Sequence, residues 1–319
     1  MCVAGLCMRS HGVPGIATVV LLLASPALPA AAQAPPAPPC TLQAGETRAV
    51  VRVIDAETVR LDDDRDVRLI GALAPRSPDL RPDARPWPPE LAAEAALRAL
   101  VLGRSVEIAY AQARHDRYGR LLAHLFVDRG DERLWVQGEL LSNGHARAYG
   151  LPGSFECIAE LGAHERVARD AGTGLWGNAA YTTRRAFRTR EILRQRNTYQ
   201  IVAGRVTQVA TTKARTYLNF GREWRSDFTA GIAAKLIRDN PQFAQTLAAL
   251  EGKTIEVRGW IEYRNGPFIE VEDPSQIAIV EEGRPSSSLQ PGGPSLSSER
   301  RAPPQKRKRP AKKPGAGDL

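Results

Sequence analysis

Three short runs of β-branched and apolar residues near the start of the chain constrain its fold more than any other feature. They occupy residues 49–54, 58–61 and 67–70, and residues typical of turns separate them. Runs of this length and composition predict consecutive antiparallel strands. The aspartate-rich stretch at residues 62–66 is interpreted as the hairpin turn between the last two strands, with a cation site as the alternative.

The segments that follow complete the first set of predicted elements. In chain order they are a helix at 90–102, strands at 105–110 and 121–127, and helices at 134–143 and 155–171. This order predicts a β-rich α+β fold in which helices pack on a small β-barrel. It excludes a doubly wound parallel sheet, because that fold needs regular alternation of strands and helices.

A second set of elements begins after Thr198. In chain order they are strands at 200–209, 216–221 and 227–230, one or two helices in 232–250 broken at Pro241, and strands at 254–263 and 268–271. Asn265 and Gly266 give a strong hairpin-turn signal between the last two strands. Three strands, a helix and two strands is the element order of the OB-fold, so a second small OB-like β-barrel is predicted.

Composition divides the chain into six segments. They are a signal peptide (1–34), a proline-rich spacer with Cys40 (35–46), a first domain (47–178), an arginine-rich linker (179–198), the OB-like module (199–281) and a basic tail (282–319). The linker has six arginines with only Glu191 against them, and either a basic helix or a loop fits this composition. The tail is rich in proline, serine, glycine and basic residues, so it is predicted to be disordered.

The first segment has the pattern of an export signal. Arg9 and His11 precede an apolar run at residues 16–24, and small residues follow as far as Ala34. A membrane anchor is the alternative, but the apolar run is roughly half of the ~20 residues that span a bilayer. We therefore expect an exported protein, periplasmic or secreted, without a transmembrane segment once the signal is removed.

Two of the four cysteines, Cys2 and Cys7, lie in the signal. Cys40 and Cys157 remain, and two cysteines left in an oxidising compartment predict one disulfide. Two unpaired thiols are the alternative.

The formal net charge of +9 is unevenly distributed. Residues 299–319 contain eight basic side chains and two acidic ones, which is +6 of that total. A block of this kind is typical of a solvated tail, and it also binds polyanions by counterion release.

Several motifs of the first domain together resemble the staphylococcal nuclease (thermonuclease) family. They are Asp116-Arg-Tyr-Gly-Arg120 with the strand after it, Val53-Ile-Asp-Ala-Glu-Thr-Val59, Val67-Arg-Leu-Ile70 and Gly172-Thr-Gly-Leu-Trp176. They occur in the family's order and cover about two fifths of the chain. The resemblance implies an OB-type barrel and a calcium-dependent phosphodiesterase. In that enzyme two arginines bind the scissile phosphate, two aspartates help to hold Ca²⁺, and a glutamate is the base.

The arginine half of this site is present. Arg68 matches the family's first phosphate arginine and Arg120 matches the second. Planar guanidinium groups stabilise the negative charge that gathers on a phosphodiester transition state. The alternative is that both are exposed arginines on the surface of the barrel.

The acidic half departs from the family pattern. The family's Asp-Gly-Asp-Thr is Asp55-Ala-Glu-Thr58 here, so Glu57 stands at a metal-ligand position. The family's Asp-Thr-Pro-Glu is Leu73-Ala-Pro-Arg76, so the second ligand is lost and Arg76 stands where the base belongs. Because Ca²⁺ binds through several oxygen ligands, a site reduced to one carboxylate is expected to hold it weakly.

These departures leave two interpretations of the site open. Asp79 in the following loop, or His115 beside Asp116, is a candidate replacement for the missing carboxylate or base. Alternatively Arg68, Arg76 and Arg120 form a cradle that binds phosphate without cutting the strand.

Aromatic and basic residues are interleaved in the second module, which is typical of single-strand binding. Tyr217 and Asn219 lie on the strand face opposite Leu218 and Phe220, so Tyr217 is the stacking candidate. Core packing is the alternative for most of the other aromatic residues.

Three classes of function follow. The first is an exported protein that binds DNA or RNA phosphates with impaired hydrolysis. The second is an active metal-dependent nuclease with a relocated carboxylate. The third is a non-catalytic scaffold for protein contacts or anionic envelope polymers.

Overall fold

The computed structural model describes residues 40, 42–77 and 87–280 of the chain. These residues all belong to one compact unit. The predicted signal peptide, the basic tail and Asp79 lie outside the described residues.

The elements from β1 to α3 are called the N-terminal part. They are β1 (Gln43–Asp55), β2 (Thr58–Leu61), β3 (Asp66–Leu69), β4 (Gly71–Leu73), α1 (Pro88–Val101), β5 (Ser105–His115), β6 (Leu121–Asp128), β7 (Arg133–Trp135), α2 (Val136–Ser142), β8 (Arg147–Tyr149) and α3 (Ile158–Ala171).

Five of these strands form a closed ring, and β7 extends the sheet beside β6. The order in the sheet is β3-β2-β1-β5-β6-β7, and β3 also pairs with β6 in parallel, which closes the barrel. Every residue of β6 from Leu121 to Val127 is buried. A strand covered on both faces is mostly apolar, because the barrel interior covers one face and other elements cover the opposite one, and His124 is the polar residue of this buried run. The predicted β-rich α+β fold is confirmed.

The helices that pack on the barrel have recognisable ends. Pro88 and Pro89 begin α1, where proline needs no hydrogen-bond partner, and Ala93, Leu97 and Val101 repeat every four residues on its buried face. Helix α3 ends at Gly172, whose left-handed φ of 64° is the conformation that glycine adopts at helix C-termini.

The helix predicted at 134–143 begins later than expected. Leu134 and Trp135 belong to β7, because they pair with Val127 and Phe126 of β6. This tertiary pairing overrides the local helical pattern. The strands β4 and β8, which pair with each other, were not predicted, because three residues carry too little pattern to detect.

The elements from β9 to β17 are called the C-terminal part. They are β9 (Arg184–Arg185), α4 (Thr189–Leu193), β10 (Tyr199–Arg205), β11 (Gln208–Thr211), β12 (Arg215–Asn219), β13 (Thr229–Ala233), α5 (Ala234–Asp239), α6 (Pro241–Ala248), β14 (Thr254–Trp260), β15 (Glu262–Tyr263), β16 (Pro267–Val271) and β17 (Ile277–Ile279). Three short 3₁₀ helices occur at Gly174–Gly177, Ala179–Tyr181 and Pro274–Gln276.

The C-terminal part contains two sheets. One has the order β17-β14-β10-β9, and the other has the order β11-β12-β13-β16-β15. The predicted break at Pro241 separates α5 from α6, and the turn at Asn265 and Gly266 joins β15 to β16. The assignment of these sheets to an OB-like barrel stays a prediction.

The arginine-rich linker contains both regular structure and turns. Arg184 and Arg185 form β9, which pairs in parallel with β10, and α4 follows. The domain boundaries on either side of it stay predictions.

The predicted disulfide between Cys40 and Cys157 is confirmed, with the two Cα atoms 5.2 Å apart. It joins the start of the described chain to the residue before α3 and closes a loop of 117 residues. A cross-link of this span stabilises the fold by about 2–4 kcal/mol, because it restricts the unfolded chain. Within the described residues, no helix is long and apolar enough to cross a bilayer.

Buried ion pairs join the two parts. Arg258 of β14 donates from Nη2 to Glu165 Oε1 of α3 at 2.9 Å, and Arg169 of α3 pairs with Glu256 of β14 at 2.6 Å. Glu165 is fully buried, and its Oε2 also accepts from the backbone N–H of Ala148 at 2.6 Å. Burial lowers the pKa of Arg258, but the charge and hydrogen bond of Glu165, together with Tyr199 and Glu256, outweigh this effect and leave that pKa above its usual value.

A fully buried histidine lies among the barrel and helix residues. The Nδ1 of His124 accepts a hydrogen bond from Trp135 Nε1 at 3.3 Å, and its Nε2 has no hydrogen-bond partner among the described residues. Burial lowers the pKa of His124 to about 3. The imidazole is therefore neutral at physiological pH.

We expect Arg258→Met to lower the free energy of unfolding by about 3–5 kcal/mol, because it removes the direct partner of a buried carboxylate. Guanidinium chloride titration measures this loss. Arg264→Met is the matched control: Arg264 pairs with Glu270 at the surface, and such a pair contributes about 1 kcal/mol or less. Equal losses in the two variants would contradict a stabilising role for the buried pair.

Acid destabilises the fold through His124. Its unfolded form binds a proton below about pH 6.5, whereas the folded form does so only near pH 3, so its contribution is complete above pH 6.5 and decreases as the pH falls. From this residue alone we expect the free energy of unfolding to fall by about 2 kcal/mol between pH 7 and pH 5. The non-titrating variant His124→Gln should show a decrease that is smaller by this amount. An unchanged pH dependence in the variant would refute the assignment.

Candidate functional site

The closure of the barrel brings the two predicted phosphate arginines to one seam. Arg68 of β3 pairs with Leu122 of β6, and Arg120 lies immediately before β6. Arg68 also pairs with Thr58 of the neighbouring strand β2. The Oγ1 of Thr58 accepts a hydrogen bond from Arg120 Nη1 at 3.5 Å. Both arginine side chains are 24% exposed. The seam therefore presents two guanidinium groups that are positioned by strands and still reach solvent.

Glu57 lies beneath these arginines, and it is 3% exposed. Its Oε1 accepts from the backbone N–H of Ala74 at 2.8 Å, and its Oε2 accepts from Arg76 Nη2 at 3.1 Å. Arg68 Nη2 lies 3.7 Å from the same Oε2. This carboxylate therefore anchors the loop after β4 and partly neutralises two arginines.

Arg76 occupies the place where the family pattern has its base. Besides Glu57, its Nη2 lies 3.9 Å from Asp55 Oδ2. The charge of Glu57 raises the pKa of Arg76 above its usual value. Burial lowers this pKa by less than Glu57 raises it, and the charge of Asp55 raises it further. A guanidinium with a raised pKa does not accept a proton, so Arg76 cannot activate water.

The second arginine is held by its own motif. Asp116 Oδ2 accepts from Nε of Arg120 at 2.7 Å, and Nη2 of Arg120 lies 2.7 Å from the same oxygen. Asp116 Oδ1 accepts from the backbone N–H groups of Tyr118 and Arg120. Burial raises the pKa of Asp116, but the bonds from Arg120 and the backbone outweigh it and hold that pKa below its usual value. Residues 116–120 thus form a turn in which Asp116 orients the side chain of Arg120.

The residues present do not fit a calcium ion. Both oxygens of Glu57 already accept hydrogen bonds from N–H donors, and Leu73 and Arg76 replace the other expected oxygen donors. Within the described ranges, no group of three or more His, Cys, Asp or Glu side chains is arranged to hold a metal. Calcium prefers six to eight oxygen ligands. Coordination of a metal by Glu57 stays a prediction, and its present contacts oppose it.

The other candidate residues lie apart from the arginine seam. His115 is exposed at the end of β5, and Asp79 lies outside the described residues. Tyr217 is half-buried on β12, where it lines a cavity of about 490 Å³ with Arg215 and Trp224. No contact among the described residues joins Tyr217 to Arg68, Arg76 or Arg120.

A cavity of about 400 Å³ beside Arg76 was not anticipated from the sequence. Its walls include four aromatic side chains and a second arginine, namely Trp87, Tyr181, Tyr199, Trp260 and Arg147. The aromatic residues are scattered over more than 170 positions, so no local motif joins them. The sequence does carry one local signal for this cavity. Arg147 lies between Ala146 and Ala148, and an arginine between two small apolar residues is a candidate buried arginine.

Known proteins resemble the N-terminal part. A family model described as staphylococcal nuclease homologue matches residues 66–178. A thermonuclease from Staphylococcus intermedius is 32% identical over 135 residues, which cover 41% of this chain and 77% of that protein. Two proteins described as uncharacterized endonucleases, from Escherichia coli and Escherichia coli O157:H7, are 28% identical over 130 residues, 41% of this chain and 76% of each relative. The barrel, the arginine seam and these matches together show that the chain belongs to the staphylococcal nuclease family.

Proposed function

We propose that this protein is exported and binds nucleic-acid strands through their phosphates, with impaired hydrolysis. The observation that carries the proposal is the ion pair between Arg76 and Glu57. This ion pair places the guanidinium of Arg76 where the family's base belongs. It also occupies the carboxylate of Glu57, which stands at the metal-ligand position. Among the described residues, the site therefore keeps groups that attract phosphate, and an arginine stands where the family's base belongs.

Arg68 is the group best prepared to receive a phosphate. Its guanidinium has one ion-pair contact among the described residues, the 3.7 Å approach to Glu57, so its N–H donors are available. Arg120 is already oriented by Asp116, which reduces the entropy lost when a phosphate is bound. Two guanidinium groups fixed at one seam suit the bidentate recognition of phosphate oxygens.

Charge outside the seam supports binding to a polyanion. The arginine-rich linker and the basic tail add positive charge on either side of the C-terminal part. Tyr217, half-buried beside Arg215, is the proposed stacking residue of that part. The disulfide between Cys40 and Cys157 is compatible with an oxidising compartment and so supports export.

Binding is tested with the double variant Arg68→Ala and Arg120→Ala. We expect the mature wild-type chain to retain a fluorescent single-stranded DNA, with an affinity that decreases steeply as salt increases. The double variant should lose most of this affinity and show a shallower salt dependence, because two phosphate contacts are removed. Fluorescence anisotropy over a series of salt concentrations measures both quantities.

The control for charge is the double variant Arg98→Ala and Arg104→Ala, which removes two exposed arginines without touching the seam. Retention that is unchanged by the loss of Arg68 and Arg120 would refute the proposed role of the seam. Cleavage by the wild type that requires a metal ion and Arg120 would instead establish an active nuclease.

The impaired chemistry is tested by restoring the family's residues. We expect Glu57→Asp, Leu73→Asp and Arg76→Glu in combination to increase calcium-dependent cleavage by about 100-fold or more, because a positioned general base contributes about 10²–10⁴-fold. A quenched oligonucleotide assay with calcium and with chelator measures the rate. The same triple variant with Arg120→Ala is the control and should be inactive. A wild type that cuts as fast as the restored variant would contradict the proposal.

A further inference from the structure

The cavity beside Arg76, called the junction pocket, is built from distant parts of the chain. Trp87 precedes α1, Tyr181 belongs to a 3₁₀ helix after α3, and Trp260 ends β14 of the C-terminal part. Arg76 itself lines the pocket as well as contacting Glu57. The pocket therefore opens beside the arginine seam, and residues outside the matched segment 66–178 complete it.

The aromatic walls suit a flat ligand. Trp87 and Tyr181 are stacked at 5.8 Å with an interplanar angle of 24°, and Tyr199 and Trp260 meet edge to face at 6.0 Å. Trp260 is 45% exposed, and Trp87 is half-buried. A large aromatic side chain exposed to this degree at the edge of a pocket provides an open face for stacking.

Arg147 gives the pocket a buried positive charge. It is 9% exposed, its Nη1 donates to the carbonyl of Tyr199, and its guanidinium lies 4.9 Å from the ring centre of Tyr181. It forms no ion pair among the described residues, and its Nε has no hydrogen-bond partner.

The nearby carboxylate of Glu165 favours the charge of Arg147 only in part, because Arg258 and Arg169 already share it. Burial accordingly lowers the pKa of Arg147. A buried cation without an anion is unfavourable, so a ligand that brings negative charge or hydrogen-bond acceptors to this pocket is favoured.

We infer that the junction pocket binds one nucleotide unit of a single-stranded nucleic acid whose neighbouring phosphate lies on the arginine seam. The base stacks on Trp260 and Trp87, and Arg147 and Arg76 face its acceptor atoms and phosphate. This inference rests on the proposed binding of phosphates by Arg68 and Arg120.

The size and the chemistry of the pocket agree on this occupant. About 400 Å³ falls within the range of pockets that hold small organic ligands. An inorganic anion would satisfy the arginines but would leave the aromatic walls without a partner. A duplex does not fit, because its bases are paired and stacked and do not enter a pocket of this kind.

The test compares two fluorescein-labelled strands of equal length and charge. One is a short oligothymidylate, and the other has the same backbone with abasic residues in place of the bases. We expect the wild type to bind the base-bearing strand at least about fivefold more tightly, because stacking on an aromatic side chain favours each base by this order. In Trp260→Ala this ratio should fall towards one, while affinity for the abasic strand changes less than about twofold.

Two further variants separate stacking from structural damage. Trp260→Phe retains an aromatic face and should recover most of the ratio. Tyr263→Ala removes a neighbouring aromatic residue that is exposed and does not line the pocket, so it should leave the ratio unchanged. Circular dichroism and unfolding titrations confirm that each variant is folded.

The outcomes distinguish this inference from the proposed function. If the wild type binds both strands equally, or if Trp260→Ala keeps the full ratio, the junction pocket does not receive a base and the inference is overturned. Phosphate binding by the seam would then still stand. If the wild type binds neither strand, the proposed function fails and the inference fails with it.

Discussion

The parallel pairing of β3 with β6 is the interaction on which the rest of the site depends. Without it the strands β3-β2-β1-β5-β6 would form an open sheet, with Arg68 on the first strand of that order and Arg120 beside the last. With it, Arg68 faces Leu122 across the seam, and Arg120 reaches Thr58 of the neighbouring strand. The pairing also buries β6 on both faces, so the free energy that closes the barrel comes from apolar burial rather than from the polar site. Residues at the seam are therefore free to change without loss of the fold.

The loop after β4 shows how such a change is accommodated. In the family pattern this loop supplies carboxylates, and carboxylates crowded together require a cation. Here one buried glutamate accepts a backbone N–H from Ala74 and a guanidinium N–H from Arg76. The protein's own side chain thus supplies the positive charge that holds the loop.

Much of the fold and part of the candidate site were predictable from the sequence. The remaining features depend on contacts between distant segments, which a local sequence pattern does not contain. The β-branched runs, the turn at residues 62–66 and the cysteine pairing depend on local pattern or on simple counting, and the structure agrees with them. The boundary between β7 and α2 depends on a partner strand, which a local pattern does not contain. Arg68 and Arg120 were identified because each belongs to a motif. The junction pocket was missed because Trp87, Tyr181 and Trp260 meet only after both parts of the chain have packed together.

The ion pair between Arg76 and Glu57 also limits which substitutions this loop accepts. A single change of Arg76 to glutamate would place a second carboxylate beside the buried Glu57 and would remove one of its two hydrogen-bond donors. The changed chain would be less stable than the present one and would still lack the family's ligand at position 73. Reversal of the charge at position 76 alone is therefore disfavoured. Because the positive charge of Arg76 helps to hold a buried carboxylate, a second substitution near Glu57 has to accompany any reversal of that charge if the loop is to keep its stability.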